Sequence, residues 1–236
     1  MYDIIVLGAT FAAAGIAHRH RKKCLILESS LQAGNEFYGA LNFGSDENQC
    51  PKAPEALALQ NAFSDCDPYS RITKIYPFLR MADILFGIRL ISVEKIEGGY
   101  ECRAYGVEGF CTFCAKQIID TRADAEISVS KTYNLLIESD REPHFDGVEC
   151  VRAGADHHYI LRLCVPLSQG YTQARNLAHQ LVLQFSEGQK LILSASSFDY
   201  QIQKNHSAYR GEIRLLPSKA YANPILAFEA GLEVTV

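Results

Sequence analysis

Near the start of the chain, a few residues have the types and spacing to hold a diphosphate and a ribose. Gly8 ends the apolar run Asp3 to Leu7, Thr10 and Ala13 follow at short intervals, and an acid, Glu28, closes the next apolar run, Cys24 to Leu27. A glycine at the end of a buried strand permits a tight turn, and small residues after it let phosphate approach the free amides that open a helix. An acid at the end of the following strand can accept hydrogen bonds from ribose hydroxyls. The pattern nominates Gly8, Ala9, Thr10, Phe11, Ala12 and Ala13 as a pyrophosphate turn, and Glu28 with Ser29 as the ribose end. Alanine is an accepted third residue of such a turn. Thr10 instead puts a side chain where bare backbone would face the phosphate. The plainer alternative stays open: Gly8 as an ordinary strand-to-helix turn and Glu28 as a solvated strand end.

Such a site needs a strand, a helix and a second parallel strand to position it. Asp3 to Leu7 is an unalternating β-branched run of the kind found in buried parallel strands, and the small residues through Ala17 favour a helix lying close on a sheet. With Cys24 to Glu28 they make a βαβ unit, the Rossmann-type arrangement. A loop containing Gly34, Gly39 and Gly44 follows, then a helix expected from Pro54 to Phe63. A second helix is expected from Pro77, with Phe78, Leu79, Met81, Ala82 and Leu85 on its apolar face and Gly87 closing it. From Ile88 to Ile119 the pattern becomes an antiparallel meander: Ile88 to Glu97, Tyr100 to Val107, and Phe110 to Ile119, the last returning to the parallel sheet at Ile118-Ile119-Asp120. The remainder predicts strands at Thr132 to Glu138, Asp146 to Arg152, His158 to Pro166 and Lys190 to Gln201. It also predicts a capped helix at Thr172 to Glu187 and a closing helix at Ile225 to Ala230, with Asn223 as cap, Pro224 at its first position and Gly231 just past its end.

Composition excludes several classes. The 236 residues are 48% apolar and 21% charged, with a net charge of −4, which is ordinary globular usage with no basic face for nucleic acid. The short basic run His18 to Lys23 reads as a solvated helix C-terminus. Eight cysteines in a chain of this size do not form a disulfide scaffold, and Cys24, Cys102 and Cys164 lie in apolar strand-like runs. The stretch Ile4 to Ala17 has an acid before it and bases after it, the reverse of a secretory leader, and is too short to span a bilayer. The expectation is a cytoplasmic protein without nucleic-acid or membrane partners, with homo-oligomerisation left open.

The meander inserted before the next parallel strand separates this pattern from simple NAD domains and favours FAD. Here the sequence resembles the FAD-dependent oxidoreductases of the two-dinucleotide-binding-domain, glutathione-reductase-like class, as a short and divergent member. Four stretches carry the resemblance: Tyr2 to Gly8, Leu25 to Glu28, Gly39-Ala40-Leu41-Asn42, and Ile118 to Asp124, where Thr121, Arg122 and Ala123 replace the usual alanine, threonine and glycine. The resemblance implies FAD as cofactor, with Gly8, Thr10 and Ala13 along the pyrophosphate and Glu28 on the adenosine ribose. It also implies Ala40, Leu41 and Asn42 near the flavin and Leu90 by the adenine. In that class a glycine-aspartate strand and a helix pointing at the flavin end the fold. No glycine-aspartate pair is evident, and Asn223 to Gly231, with Asn223 and Pro224 at its start, is the candidate helix.

The fold class expected is therefore α/β: a Rossmann-type FAD-binding domain with a β-meander, spanning 1–130 and completed by 217–236, plus a smaller α+β substrate or cap domain at 131–216. No catalytic acid, base or nucleophile stands out, and no metal set. The pair Cys111 and Cys114 falls on a strand, where such spacing sends the two thiols to opposite faces. His157 and His158 diverge for the same reason, and nothing in their spacing ties Arg162, Tyr171, His206, Tyr209 or Arg210 to a site. The function expected is an FAD-dependent oxidoreductase of an unidentified small molecule. The alternatives are a non-catalytic or degenerate FAD or nucleotide binder and an NAD(P)-linked Rossmann enzyme.

Overall fold

The computed structural model describes residues 1–43, 50–67, 70–153, 157–203 and 205–236, so Gly44 of the glycine loop lies outside the described residues. In chain order the first elements are β1 (Tyr2–Leu7), α1 (Phe11–His20), β2 (Cys24–Glu28), α2 (Pro54–Ser64), α3 (Tyr76–Leu79), β3 (Asp83–Phe86), β4 (Arg89–Ile96), β5 (Gly99–Gly106) and β6 (Gly109–Asp120). They are followed by β7 (Ser128–Ser139), β8 (Val148–Arg152), β9 (His158–Val165), α4 (Tyr171–Val182), β10 (Gln189–Ser194), β11 (Asp199–Ile202), β12 (Tyr209–Arg210), β13 (Ile213–Leu215) and α5 (Pro224–Leu232). The chain divides into two compact units, one of residues 1–34, 44–122 and 204–236, the other of 35–43 and 123–203.

The first unit is a mixed α/β body. Its sheet runs β12-β13-β6-β1-β2-β3, with β5 pairing β6 and β4 pairing β5. β1 is central and parallel to both neighbours, from Ile4 opposite Cys24 to Leu7 opposite Leu27 on one side and from Tyr2 opposite Ala115 to Leu7 opposite Asp120 on the other. Flanked on both edges and covered on both faces, β1 is buried from Ile4 to Leu7, which is why its sequence shows no polar alternation. β6 serves twice: antiparallel to β5 through the meander, then parallel to β1 at its far end.

α1 lies against α5, and the approach is so close that a Cβ on Gly15 would collide with the carbonyl oxygen of Phe228, and one on Gly231 with that of Ala12. Gly231 is therefore inside α5 rather than beyond its end, a correction to the sequence expectation. It is there because the crossing requires it, not because the helix must stop. Asn223 caps α5 as expected, its Oδ1 accepting from Leu226 N at 2.9 Å.

The second unit is a five-stranded antiparallel sheet. β7 is its spine, pairing β9 along one edge and β10 and β11 in turn along the other, with β8 outside β9. Tyr133, Leu135, Ile137, Leu161 and Leu163 form its core with Ala174, Ala178 and Leu181 of α4. Leu41, at φ 52°, joins that core from the preceding segment. Lys131 is buried and its ammonium is fully used: it donates to Leu167 O at 3.0 Å and Gln169 O at 2.5 Å and lies 4.1 Å from the Phe198 ring centroid.

Other expectations are corrected. The helix opening at Pro77 ends at Leu79, and Asp83 to Phe86 becomes β3, parallel to β2 from Leu25 opposite Asp83 to Glu28 opposite Phe86. The helical spacing of Met81, Ala82 and Leu85 was coincidental: an open edge of β2 offers a row of backbone partners, and Ile84-Leu85-Phe86 can supply them. The strand expected over Lys190 to Gln201 is two, because the chain leaves the ladder at Ser196 and Ser197, whose amides donate to Gly39 O. α4 starts at Tyr171 behind Gly170 and ends at Val182, five residues before Glu187. Cys164 is exposed on β9, whereas Cys24 and Cys102 are buried. No described helix is long and apolar enough to cross a membrane.

Candidate functional site

The carboxyl ends of β1, β2, β6 and β13, four neighbouring parallel strands, converge at the start of α1. The chain leaves β1 through α1 toward β2 on one side, whereas β6 and β13 lie on the other, so the β1–α1 turn occupies the point where the sheet's winding reverses. Open α/β sheets bind ligands in the crevice at such points.

Gly8 makes the turn at φ 96°, a conformation that disfavours any side chain. Its amide donates to Leu27 O at 2.9 Å, tying the turn to β2. Thr10 then caps α1: its Oγ1 accepts from Ala13 N at 3.1 Å and donates to Thr121 Oγ1 at 2.8 Å, and the Thr121 hydroxyl donates on to Leu7 O at 3.0 Å. Thr10 thus has a local reason to replace a glycine: it is a helix cap joined to the strand end of β6. Ala9, Thr10, Phe11, Ala12 and Ala13 are all buried.

Glu28 lies at the end of β2, only 8% exposed. Its carboxylate receives Ala9 N and Ser30 N, each at 2.7 Å. Ser29, nominated with it, is exposed, and the amide that meets the acid belongs to Ser30. From the end of β6, the Asp120 carboxylate, 4% exposed, holds Arg122 by Nε at 2.9 Å, Nη2 at 2.8 Å and the backbone N at 3.0 Å. From beyond β13, Ser218 donates its amide to Thr121 O at 2.9 Å, and its hydroxyl lies 3.4 Å from Ala12 N, which donates to it.

The structure thus gathers Gly8, Ala9, Thr10, Phe11, Ala12, Ala13 and Glu28 at one place. It adds Thr121, Arg122 and Ser218, which sequence reasoning did not assign to the site. Thr121 and Arg122 were visible as replacements in a known segment, but Ser218 carried no signal beyond following Pro217 after a short strand. Leu90 belongs to the meander, half-buried on β4 opposite Ala104. Asn223 and Pro224 start α5, which packs on α1. Ala40, Leu41 and Asn42 belong to the second unit, where Ala40 O accepts from the buried Asn134 amide at 2.7 Å and Asn42 Nδ2 donates to Asp199 Oδ2 at 2.7 Å.

Cys111 and Cys114 oppose Ala104 and Glu101 on β5, and both are free thiols. His157 takes a left-handed φ of 65° just before β9, and His158 pairs with Glu138. Arg162 ion-pairs with Glu149 at 3.3 Å, and Tyr171 donates to Ala195 O at 2.8 Å. Among the described residues no group of three or more His, Cys, Asp or Glu side chains could hold a metal.

No known sequence family matches the chain, and no characterised protein matches it by sequence. Solved structures do match. The p-nitrophenol 4-monooxygenase PnpA from Pseudomonas putida DLL-E4 aligns with a TM-score of 0.56 at 13% identity, covering 98% of this chain and 77% of that one. CabE, an aromatic hydroxylase from angucycline biosynthesis, aligns with a TM-score of 0.54 at 11% identity, covering 91% and 55%. This chain shares their fold. A ternary complex of aklavinone-11 hydroxylase with FAD and aklavinone also aligns, with a TM-score of 0.52 at 12% identity, covering 91% and 56%. The chain thus spans just over half the length of CabE and of aklavinone-11 hydroxylase.

A buried carboxylate at the end of β2, a positive-φ glycine and a capped helix N-terminus suit the adenosine-diphosphate half of a dinucleotide. Three amides of the turn, those of Ala9, Ala12 and Ala13, already have acceptors from this chain. The Arg122 stem lies over Gly8, where a Cβ would meet its Cγ at 2.5 Å. The frame fits; the seat above Gly8 holds a side chain that can move.

Proposed function

We propose that this chain is an FAD-dependent oxidoreductase acting on a small molecule. The observation that carries the reading is the convergence of the β1–α1 turn, Glu28 and the Asp120-Thr121 strand end at the winding reversal of a sheet whose parallel strand β6 is reached through a meander. Fold neighbours that include an FAD complex and aromatic hydroxylases support it. FAD when bound supplies hydride and electron transfer that side chains cannot. The protein's own residues then have binding roles: Glu28 would accept from the ribose hydroxyls, and Gly8 to Ala13 would face the pyrophosphate with the positive end of α1 behind them. The second unit, an antiparallel sheet with one helix, is in this reading the substrate-binding part, and aromatic compounds are the first class to screen. Of flavoprotein classes, hydroxylases suit the chain better than the glutathione-reductase-like class, because every strand pairing described in the second unit is antiparallel, whereas a second dinucleotide-binding domain is built on adjacent parallel strands.

The test is an absorbance spectrum of the purified protein, followed by denaturation and identification of any released cofactor. Release of FAD is expected. A colourless protein that also takes up no added FAD would remove the reading. A second reading, a nucleotide-fold protein without catalysis, is favoured by the self-capped amides of Ala9, Ala12 and Ala13. It predicts a protein whose affinity for FAD is weak or lost and which passes no electrons to an acceptor.

A further inference from the structure

We propose that Arg122 is a latch on the phosphate turn: its stem covers Gly8, its guanidinium is fastened to Asp120, and a dinucleotide is admitted when that pair opens. The proposal rests on the flavin-binding reading above and concerns how the site is reached. Gly8 has no side chain and a positive φ, the condition that would leave bare backbone facing a diphosphate. Here the space is taken, with Arg122 Cγ 2.5 Å and Cδ 3.2 Å from where a Cβ on Gly8 would stand. The two parts of the latch differ in freedom. Asp120 is 4% exposed and fixed by its register opposite Leu7 at the end of β6, so the anchor is rigid. The Arg122 side chain is 39% exposed, so the arm can swing into solvent. Two side-chain hydrogen bonds in a fork, to a carboxylate shielded from water, hold far better than an exposed ion pair, so the closed form is the ground state.

A gate of this kind has a kinetic signature: the rate of ligand uptake levels off at the opening rate as ligand is raised, and freeing the arm removes the plateau. The experiment mixes cofactor-free protein with FAD in a stopped-flow instrument and follows flavin fluorescence for wild type, Arg122→Ala and Arg122→Met. Methionine keeps an apolar stem but loses the lock, and thermal unfolding verifies that each variant is folded. Uptake should saturate in wild type, whereas both variants should bind on the order of tenfold faster without a plateau. Uptake only by the variants would support the latch even more strongly. Equal, unsaturated rates in all three proteins would overturn the latch and leave flavin binding standing. Failure of all three to bind FAD or ADP would overturn both.

Discussion

The Thr10 hydroxyl caps α1 through Ala13 N and donates to Thr121, so it joins a helix start to a strand end. Removing an N-cap oxygen costs about 1 kcal/mol, and Thr10→Ala should lower the free energy of unfolding in denaturant by at least that amount, whereas Thr10→Ser should hold near wild type. Glu28 has a sharper constraint, because two amides donate to its two oxygens. In Glu28→Gln one of them would face an NH2 group, and a buried donor left without a partner costs about 1–3 kcal/mol; a denaturant midpoint equal to wild type would show that the carboxylate is not held as described. Cysteines offer a third check. Burial pushes the Cys24 thiol up to about 12, with Asp83 adding to it, and burial pushes Cys102 up to about 11. Both should stay unlabelled by a thiol reagent at pH 8 in the folded protein, while exposed Cys50 and Cys164 react at once. Rapid native-state labelling of Cys24 would contradict the buried β1–β2 pair.

Among the elements, α1, which opens at the phosphate turn, packs on α5 at backbone distance. Small residues are legible there from sequence, where they predict closeness of helix to sheet. The structure shows a second reason: Gly15 and Gly231 admit helix to helix at backbone distance. Overpacking a tight interface typically costs about 1–3 kcal/mol, and more where backbone is struck. Gly231→Val should therefore destabilise the protein by about 3 kcal/mol, seen as a lowered melting temperature, whereas Ala230→Val beside it should be far milder. The meander was legible because strand alternation and Gly98, Gly109 turns are local signals. β3 was not, since its strand character depends on the edge of β2 that it completes.

At the scale of the molecule, charge pairing on the first unit sets a pH dependence. The ammonium of Lys22 donates to Asp83 and holds its carboxyl below the ordinary carboxylate range, with help from the Tyr2 hydroxyl; Lys116 does the same for Asp3, seconded by Lys23. A folded pKa below the unfolded one contributes stability that is present above the unfolded value and lost as pH falls through the folded one. Urea midpoints should accordingly fall between neutral pH and the region below the carboxylate range, and Asp83→Asn should make that fall shallower, by a small amount because the pair is exposed. An unchanged slope in Asp83→Asn would assign acid sensitivity to other carboxylates.

The βαβ start, its glycine turn, the acid at the end of the second strand and the meander are readable without a structure. Each of these is written in contiguous residues: β-branched runs, small-residue runs, and glycines at positions that only glycine favours. Tertiary structure decided what distant segments do to that turn. Asp120, Thr121, Arg122 and Ser218 reach it only because β6 lies parallel beside β1 and β13 parallel beside β6, and strand order leaves no local trace in a sequence. The same holds for the partners of Ala40 and Asn42, which are Asn134 and Asp199, more than ninety residues downstream.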